Sequence, residues 1–121
     1  MKQEKLNKAY GSMSVLNHMR LPAEKAFAVY KLYKAMESPI SFSLQEEKKY
    51  IEQFGGTVRD DGTITFDTIE HRAGFSDALN GLLNAEVNFD FEAVVLCTHD
   101  LDGQTISPAD IMNLEGLVTF V

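Results

Sequence analysis

The chain has 121 residues, with 11 basic and 18 acidic side chains and a formal net charge of −7. This length fits one domain with its own core, and a hydrophobic content of 45% excludes a disordered or collagen-like chain. A single cysteine, Cys97, excludes an internal disulfide framework and a four-cysteine zinc site. Because neither a signal peptide nor a membrane-spanning run is recognisable, the sequence predicts a soluble, cytoplasmic protein without a membrane partner.

Two helices are predicted in the first half of the chain. Apolar side chains recur at helical spacing over residues 3–19, and Pro22 marks the start of a second helix over residues 22–54. Pro39 either kinks or breaks this second helix. The pattern that begins at Ser43 is a capping box, which favours a fresh helical start just after it.

A β-hairpin and a third helix are predicted next. Residues 60–62 read Asp-Asp-Gly between two stretches with strand-forming side chains, and Asp-Gly accepts the positive φ angles that tight hairpin turns require. The capping-box pattern at residues 67–70 then opens a helix that reaches residue 83.

The last part of the chain combines an alternating stretch with a well-marked helix start. Strict alternation of apolar and polar side chains at residues 87–91 predicts a strand with one buried face, which residues 93–96 extend or follow. Ser107 is placed to cap a final helix, a proline follows at the first helical position, and Asp110 completes the capping box. This helix is predicted to run to about Val118.

These elements predict one domain of the α+β class over residues 1–121. Residues 1–54 form a helical hairpin, and residues 55–121 form a small antiparallel sheet with two further helices. The two parts differ in formal net charge, which is +3 for residues 1–54 and −10 for residues 55–121. Mutual packing of the two halves is the preferred explanation, and a charged partner is the alternative.

Two clusters of residues could carry chemistry. His99, Asp100 and Asp102 could contribute to a metal site, but the further ligands of a calcium loop are missing and a turn explains them better. Cys97 and His99, two apart on a strand, would face the same way as a nucleophilic thiolate–imidazole pair; a buried core cysteine is preferred. We therefore predict no catalytic, cofactor-binding or metal-binding residue, and a small enzyme that uses Cys97 and His99 is the weakest alternative.

The aromatic side chains of the second helix favour a protein interface. Lysines interleave with them, but helical spacing places Tyr30 and Tyr33 on the apolar stripe, so nucleic acid is not expected as a partner. The apolar stripes of the two helices are broader than the small C-terminal part can cover, which predicts a homodimer through these helices. The alternative is that the hairpin folds back and buries its stripes within one chain. The predicted interface residues are Tyr10, Met13, Phe27, Tyr30, Tyr33 and Met36.

The order of several stretches resembles a family of small proteins encoded by phages and prophages of low-GC Gram-positive bacteria, whose function is uncharacterised. These stretches are Leu21-Pro22 before a long charged helix, Glu46 to Gly55 at its end, Leu82 to Val87, and Asp100 to Ala109. The resemblance covers roughly residues 20–115 and implies a phage or prophage origin, with no enzymatic residues to carry over. Pro39 departs from the family pattern, in which this helix is unbroken.

We expect a non-enzymatic protein–protein interaction or assembly factor, with a phage or host protein as a further partner. The alternative is an acidic regulator that binds a basic or nucleic-acid-binding partner through residues 55–121.

Overall fold

A computed structural model describes all 121 residues and contains four α-helices and four short strands. The α+β class is confirmed, as is a helical hairpin followed by small β-structure. None of the helices combines the length and the apolar character needed to cross a membrane. The elements are α1 Gln3–Asn17, α2 Ala23–Gln53, β1 Thr57–Val58, β2 Ile64–Thr65, α3 Ile69–Asn84, β3 Val94–Leu96, a 3-10 turn Thr98–Leu101, α4 Pro108–Asn113 and β4 Val118–Phe120.

The central core joins the two ends of the chain. Both helices of the hairpin contribute fully buried side chains, such as Leu6 from α1 and Leu32 from α2. Residues of β3, of β4 and of the segment between α4 and β4 pack against them. The apolar faces of α1 and α2 are therefore covered by the C-terminal part of the chain. The core residues are Leu6, Ala9, Met13, Leu16, Val29, Leu32, Met36, Val94, Leu96, Leu114, Leu117 and Val118.

Helix α2 runs without interruption through Pro39. A proline in a helix interior removes one backbone hydrogen bond and costs about 3 kcal/mol, so neighbouring contacts must hold the helix together. Gln3 Nε2 donates to the Pro39 carbonyl at 3.2 Å, and Asn7 Nδ2 donates to Ser43 Oγ at 3.1 Å. The predicted fresh start after Ser43 is wrong, because this serine is buried inside α2 and bonds to α1 rather than capping a helix.

The hairpin and the third helix form as the sequence predicts. Strands β1 and β2 pair antiparallel, and Gly62 in the turn has a φ angle of +87°. Helix α3 starts one residue later than the capping-box pattern indicates. Thr68, rather than Asp67, is the N-cap, and its hydroxyl accepts from the His71 amide at 3.1 Å.

The predicted strand at residues 87–91 is absent. Its side chains do alternate between half-buried and exposed, but the only pairing nearby is an isolated bridge between Lys2 and Glu86. Alternation reports that one face of an extended segment is buried, and it does not specify a neighbouring strand. The segment is therefore extended chain laid on the central core.

The C-terminus ends in a strand instead of a long helix. Helix α4 stops at Asn113, and Gly116, with a φ angle of +90°, turns the chain into β4. Strand β4 pairs with β3 in parallel, with Val94 opposite Val118. The single antiparallel sheet of the prediction is thus replaced by two separate pairs, one antiparallel and one parallel.

Candidate interaction site

The cysteine and histidine considered for catalysis do not form a pair. Strand β3 ends before Cys97, and the chain enters a 3-10 turn in which His99 is exposed. Cys97 is half-buried rather than part of the core, and its thiol donates to Asp100 Oδ2 at 3.3 Å. The predicted common face of the two side chains is therefore wrong, because the strand geometry on which it depends has already ended.

Asp100 has a structural part in this turn. Its Oδ2 also accepts the Cys97 backbone N–H at 2.9 Å, and this hydrogen bond is the main reason why the pKa of Asp100 is lowered. Asp102 belongs to the same segment, but no group of three or more His, Cys, Asp or Glu side chains is arranged to hold a metal ion. The absence of metal and cofactor sites stays a prediction.

The six predicted interface residues divide into three environments. Met13 and Met36 are fully buried in the central core, so their assignment to an interface is corrected: they pack within the chain. Tyr10 and Tyr33 are half-buried and stack on each other, with ring centroids 4.8 Å apart. Only Phe27 and Tyr30 remain well exposed.

Phe27 and Tyr30 form what we call the aromatic patch of α2. Their side chains are 58% and 54% exposed, and their rings stack with a centroid distance of 6.4 Å. The ammonium group of Lys31 lies 4.5 Å from the centre of the Phe27 ring, which is within the range of a cation–π interaction. The patch is a contiguous aromatic surface on a helix whose opposite side is anchored in the core.

A groove of about 670 Å³ lies beside the aromatic patch, between the first turns of α2 and the segment that leads into β3. We call it the β3 groove. One wall consists of residues of α2, and the other consists of residues 90–95, which lead into and include part of β3. The lining residues are Glu24, Lys25, Phe27, Ala28, Lys31, Asp90, Phe91, Glu92, Ala93, Val94 and Val95.

The outer edge of β3 faces this groove. Val94 N–H donates to Leu117 O, and Leu96 O accepts from Val121 N–H, so these two residues direct their peptide groups toward β4. Peptide groups alternate in direction along a strand, and those of Val95 therefore point away from β4. Lys25 Nζ reaches across the groove and donates to Val95 O at 2.7 Å.

Comparisons with known proteins give no relative: no family model, no curated protein and no solved structure matches this chain.

The six predicted interface residues include Phe27 and Tyr30 of the aromatic patch, but the sequence did not predict the β3 groove. Predicting the groove requires the pairing of β3 with β4, which are separated by more than twenty residues and leave no local signal of their partnership. One local signal was present for β4 itself. Val118, Thr119 and Phe120 are β-branched or aromatic and lie just beyond Gly116 and Leu117, which is typical of a strand rather than of a helix end.

Proposed function

We propose that this protein is a non-enzymatic interaction or assembly factor that associates as a homodimer through the aromatic patch of α2. The observation that carries the proposal is the paired exposure of Phe27 and Tyr30, at 58% and 54%. Aromatic side chains are enriched at protein interfaces, where they bury large areas at low entropic cost. Twofold symmetry would place the same patch of each subunit in contact, which is the commonest arrangement of a soluble oligomer.

The position of the patch on α2 supports this function. Val29 and Leu32, from the same two helical turns, are buried in the central core, so the aromatic side chains project from a helix that is held in place. A rigid helix loses little conformational freedom on association, and this lowers the cost of forming the contact.

Light scattering coupled to size exclusion tests the dimer. The mass of one chain is 13.5 kDa, and the proposal predicts about twice that mass for the native protein at high micromolar concentration. Phe27→Glu and Tyr30→Glu should each reduce the mass to that of one chain, because a carboxylate cannot be buried in an aromatic contact without a partner.

A matched control separates this effect from a general loss of apolar surface. Ile69, the first residue of α3, is 83% exposed, and a glutamate there suits the start of a helix. Ile69→Glu should keep the dimeric mass. A single-chain mass for the native protein at every concentration would refute the dimer.

We also propose a phage or prophage origin, with a phage or host protein as a further partner. The supporting observation is the order of sequence stretches that resembles the phage family, from Leu21-Pro22 to the final capping box. Sequencing of the genes on either side tests it: phage structural, replication or regulatory genes are expected there, and a housekeeping operon would contradict it.

A further inference from the structure

The open edge of β3 has the hydrogen-bonding groups of a strand without a neighbouring strand. The N–H and C=O of Val95 both point into the β3 groove, and the carbonyl is met only by the side chain of Lys25. An exposed strand edge of this kind can pair with an extended segment of another chain. Natural proteins often place a lysine at such an edge, which discourages this pairing. The lysine ammonium occupies the place that a backbone N–H would take.

We propose that the β3 groove binds an extended, basic segment of a partner protein as an added strand on the outer edge of β3. In this mode the main chain of the segment supplies hydrogen bonds, and alternate side chains supply specificity. The segment would exchange hydrogen bonds with Val95 N–H and C=O and displace Lys25. Phe91 and Ala28, which line the groove, would contact its apolar side chains.

The charges of the groove favour a basic occupant. Three carboxylates and two lysines, Lys25 and Lys31, line the groove, so its lining carries a net charge of −1. The three carboxylates that line the groove form no ion pair with any side chain of the protein. The net charge of −7 would also attract a cationic segment at long range. These carboxylates belong to Glu24, Asp90 and Glu92.

The size of the groove fits a single strand. The wall opposite α2 comprises residues 90–95, of which Val94 and Val95 belong to β3, and six residues span about 20 Å when extended. This matches the usual strand length of about five or six residues. The proposal goes beyond the homodimer, since it concerns the edge of β3, and the two surfaces share only Phe27 of the aromatic patch.

The first experiment is a selection with random nonapeptides displayed on phage, against the native protein and against Val95→Pro. Proline removes the N–H that points into the groove and leaves the bonds to β4 in place, a position where strands tolerate it. The expected result is enrichment of peptides with alternating apolar residues and Lys or Arg, which bind the proline variant at least about tenfold more weakly. Absence of such enrichment, or equal binding to both proteins, would overturn the proposal.

The second experiment uses the best selected peptide in three synthetic forms and follows the amide signals of the protein by NMR. The parent peptide should shift the signal of Val95 in a saturable way. A form with alternate backbone nitrogens methylated should bind at least about tenfold more weakly, and so should a form with Glu in place of Lys and Arg. This arm needs no change to the protein, so it decides the question even if Val95→Pro fails to fold.

A charge variant and its control complete the test. Glu92→Gln should weaken binding of the parent peptide, whereas Glu52→Gln, an exposed and unpaired carboxylate at the far end of α2, should not. If Val95→Pro lowers the mass of the protein in light scattering while no peptide is enriched, a second copy of the chain occupies the edge and the partner-segment proposal is wrong. A native protein that is monomeric yet binds the peptides would refute the homodimer alone.

Discussion

The central core and the middle of the chain are built differently. The central core contains residues of both chain ends and has side chains such as Leu6 and Leu96 without any exposed surface. The middle, which comprises β1, β2 and α3, contributes no residue to that cluster, and its best-buried side chains, Phe75 and Leu82, each keep 7% exposure. Helix α3 of the middle packs against α1 and α2, and the middle contains one aromatic pair, Phe66 and Phe75, with ring centroids 5.1 Å apart.

This difference shows where stability and where binding reside in the molecule. Apolar burial is the main stabilising contribution to folding, so the central core should set the global stability. The aromatic patch and the β3 groove lie directly on elements of that core. Both candidate interaction surfaces are therefore carried by elements of the central core, and we expect local opening of the middle to cost less free energy than opening of that core.

The largest expected effect comes from deleting a leucine of the central core. Leu32 is completely buried, and Leu32→Ala should lower the free energy of unfolding by about 2–5 kcal/mol. Leu79→Ala makes the same change at a half-buried position of α3 and should cost clearly less. Urea denaturation of both variants measures the difference. Equal losses would contradict the division between the two regions.

The packing of α3 on α2 can be tested with two glycines of the same helix. A Cβ atom at Gly74 would lie 2.5 Å from the Phe54 ring, so Gly74→Ala should cost about 1–3 kcal/mol. Gly81 has open space around it, and Gly81→Ala should instead stabilise the protein by about 0.5–1 kcal/mol, because glycine is the poorer helix former. Thermal unfolding of both variants shows whether each substitution lowers or raises the stability of the protein. A stabilising Gly74→Ala would mean that Phe54 does not pack against α3.

A smaller effect is expected at the start of α4. Ser107 Oγ accepts the Asp110 amide at 3.1 Å and donates to the Asp110 carboxylate at 2.9 Å, and Ser12 of α1 donates to the same carboxylate at 2.8 Å. Ser107→Ala should cost about 1 kcal/mol. The control is Ser41→Ala, an exposed position inside α2, which should be neutral or slightly stabilising. Matching urea midpoints for native protein and Ser107→Ala would show that the cap contributes nothing.

The smallest effect is a dependence of stability on pH through Asp100. Because its pKa in the folded protein is lowered from the usual 3.8, the ionised form stabilises the fold above that value. This stabilisation is lost as the pH falls through the lowered pKa. Asp100→Asn should thus be less stable than the native protein at pH 7, and the gap should narrow on acidification. Chemical denaturation at a series of pH values measures the difference in stability between the two proteins. A difference that does not change with pH would contradict the stabilising role of ionised Asp100.

The parts of the fold that the sequence predicted have local causes. Helix α4 begins at Pro108 because Ser107 caps it within the same four residues, and the β1–β2 hairpin follows from one Asp-Gly turn. The parts that were missed depend on distant contacts. Helix α2 continues through Pro39, whose carbonyl accepts a hydrogen bond from Gln3 of α1, and β4 pairs with β3, which is distant in the sequence. The candidate interaction surfaces differ in the same way. The position of Phe27 on α2 follows from local helical spacing, whereas the groove exists only when β3 lies beside α2 in the folded chain.

Amide hydrogen exchange of the native protein tests the open edge of β3 most directly. In the structure, Val94 N–H is bonded to Leu117 O, whereas Val95 N–H points into the groove. Both amides lie in the same strand on the same core, so they differ in hydrogen bonding rather than in regional stability. We predict that the Val95 amide exchanges rapidly while the Val94 amide is strongly protected. Protection of Val95 equal to that of Val94 would contradict an open edge and, with it, the binding site that we assign to the groove.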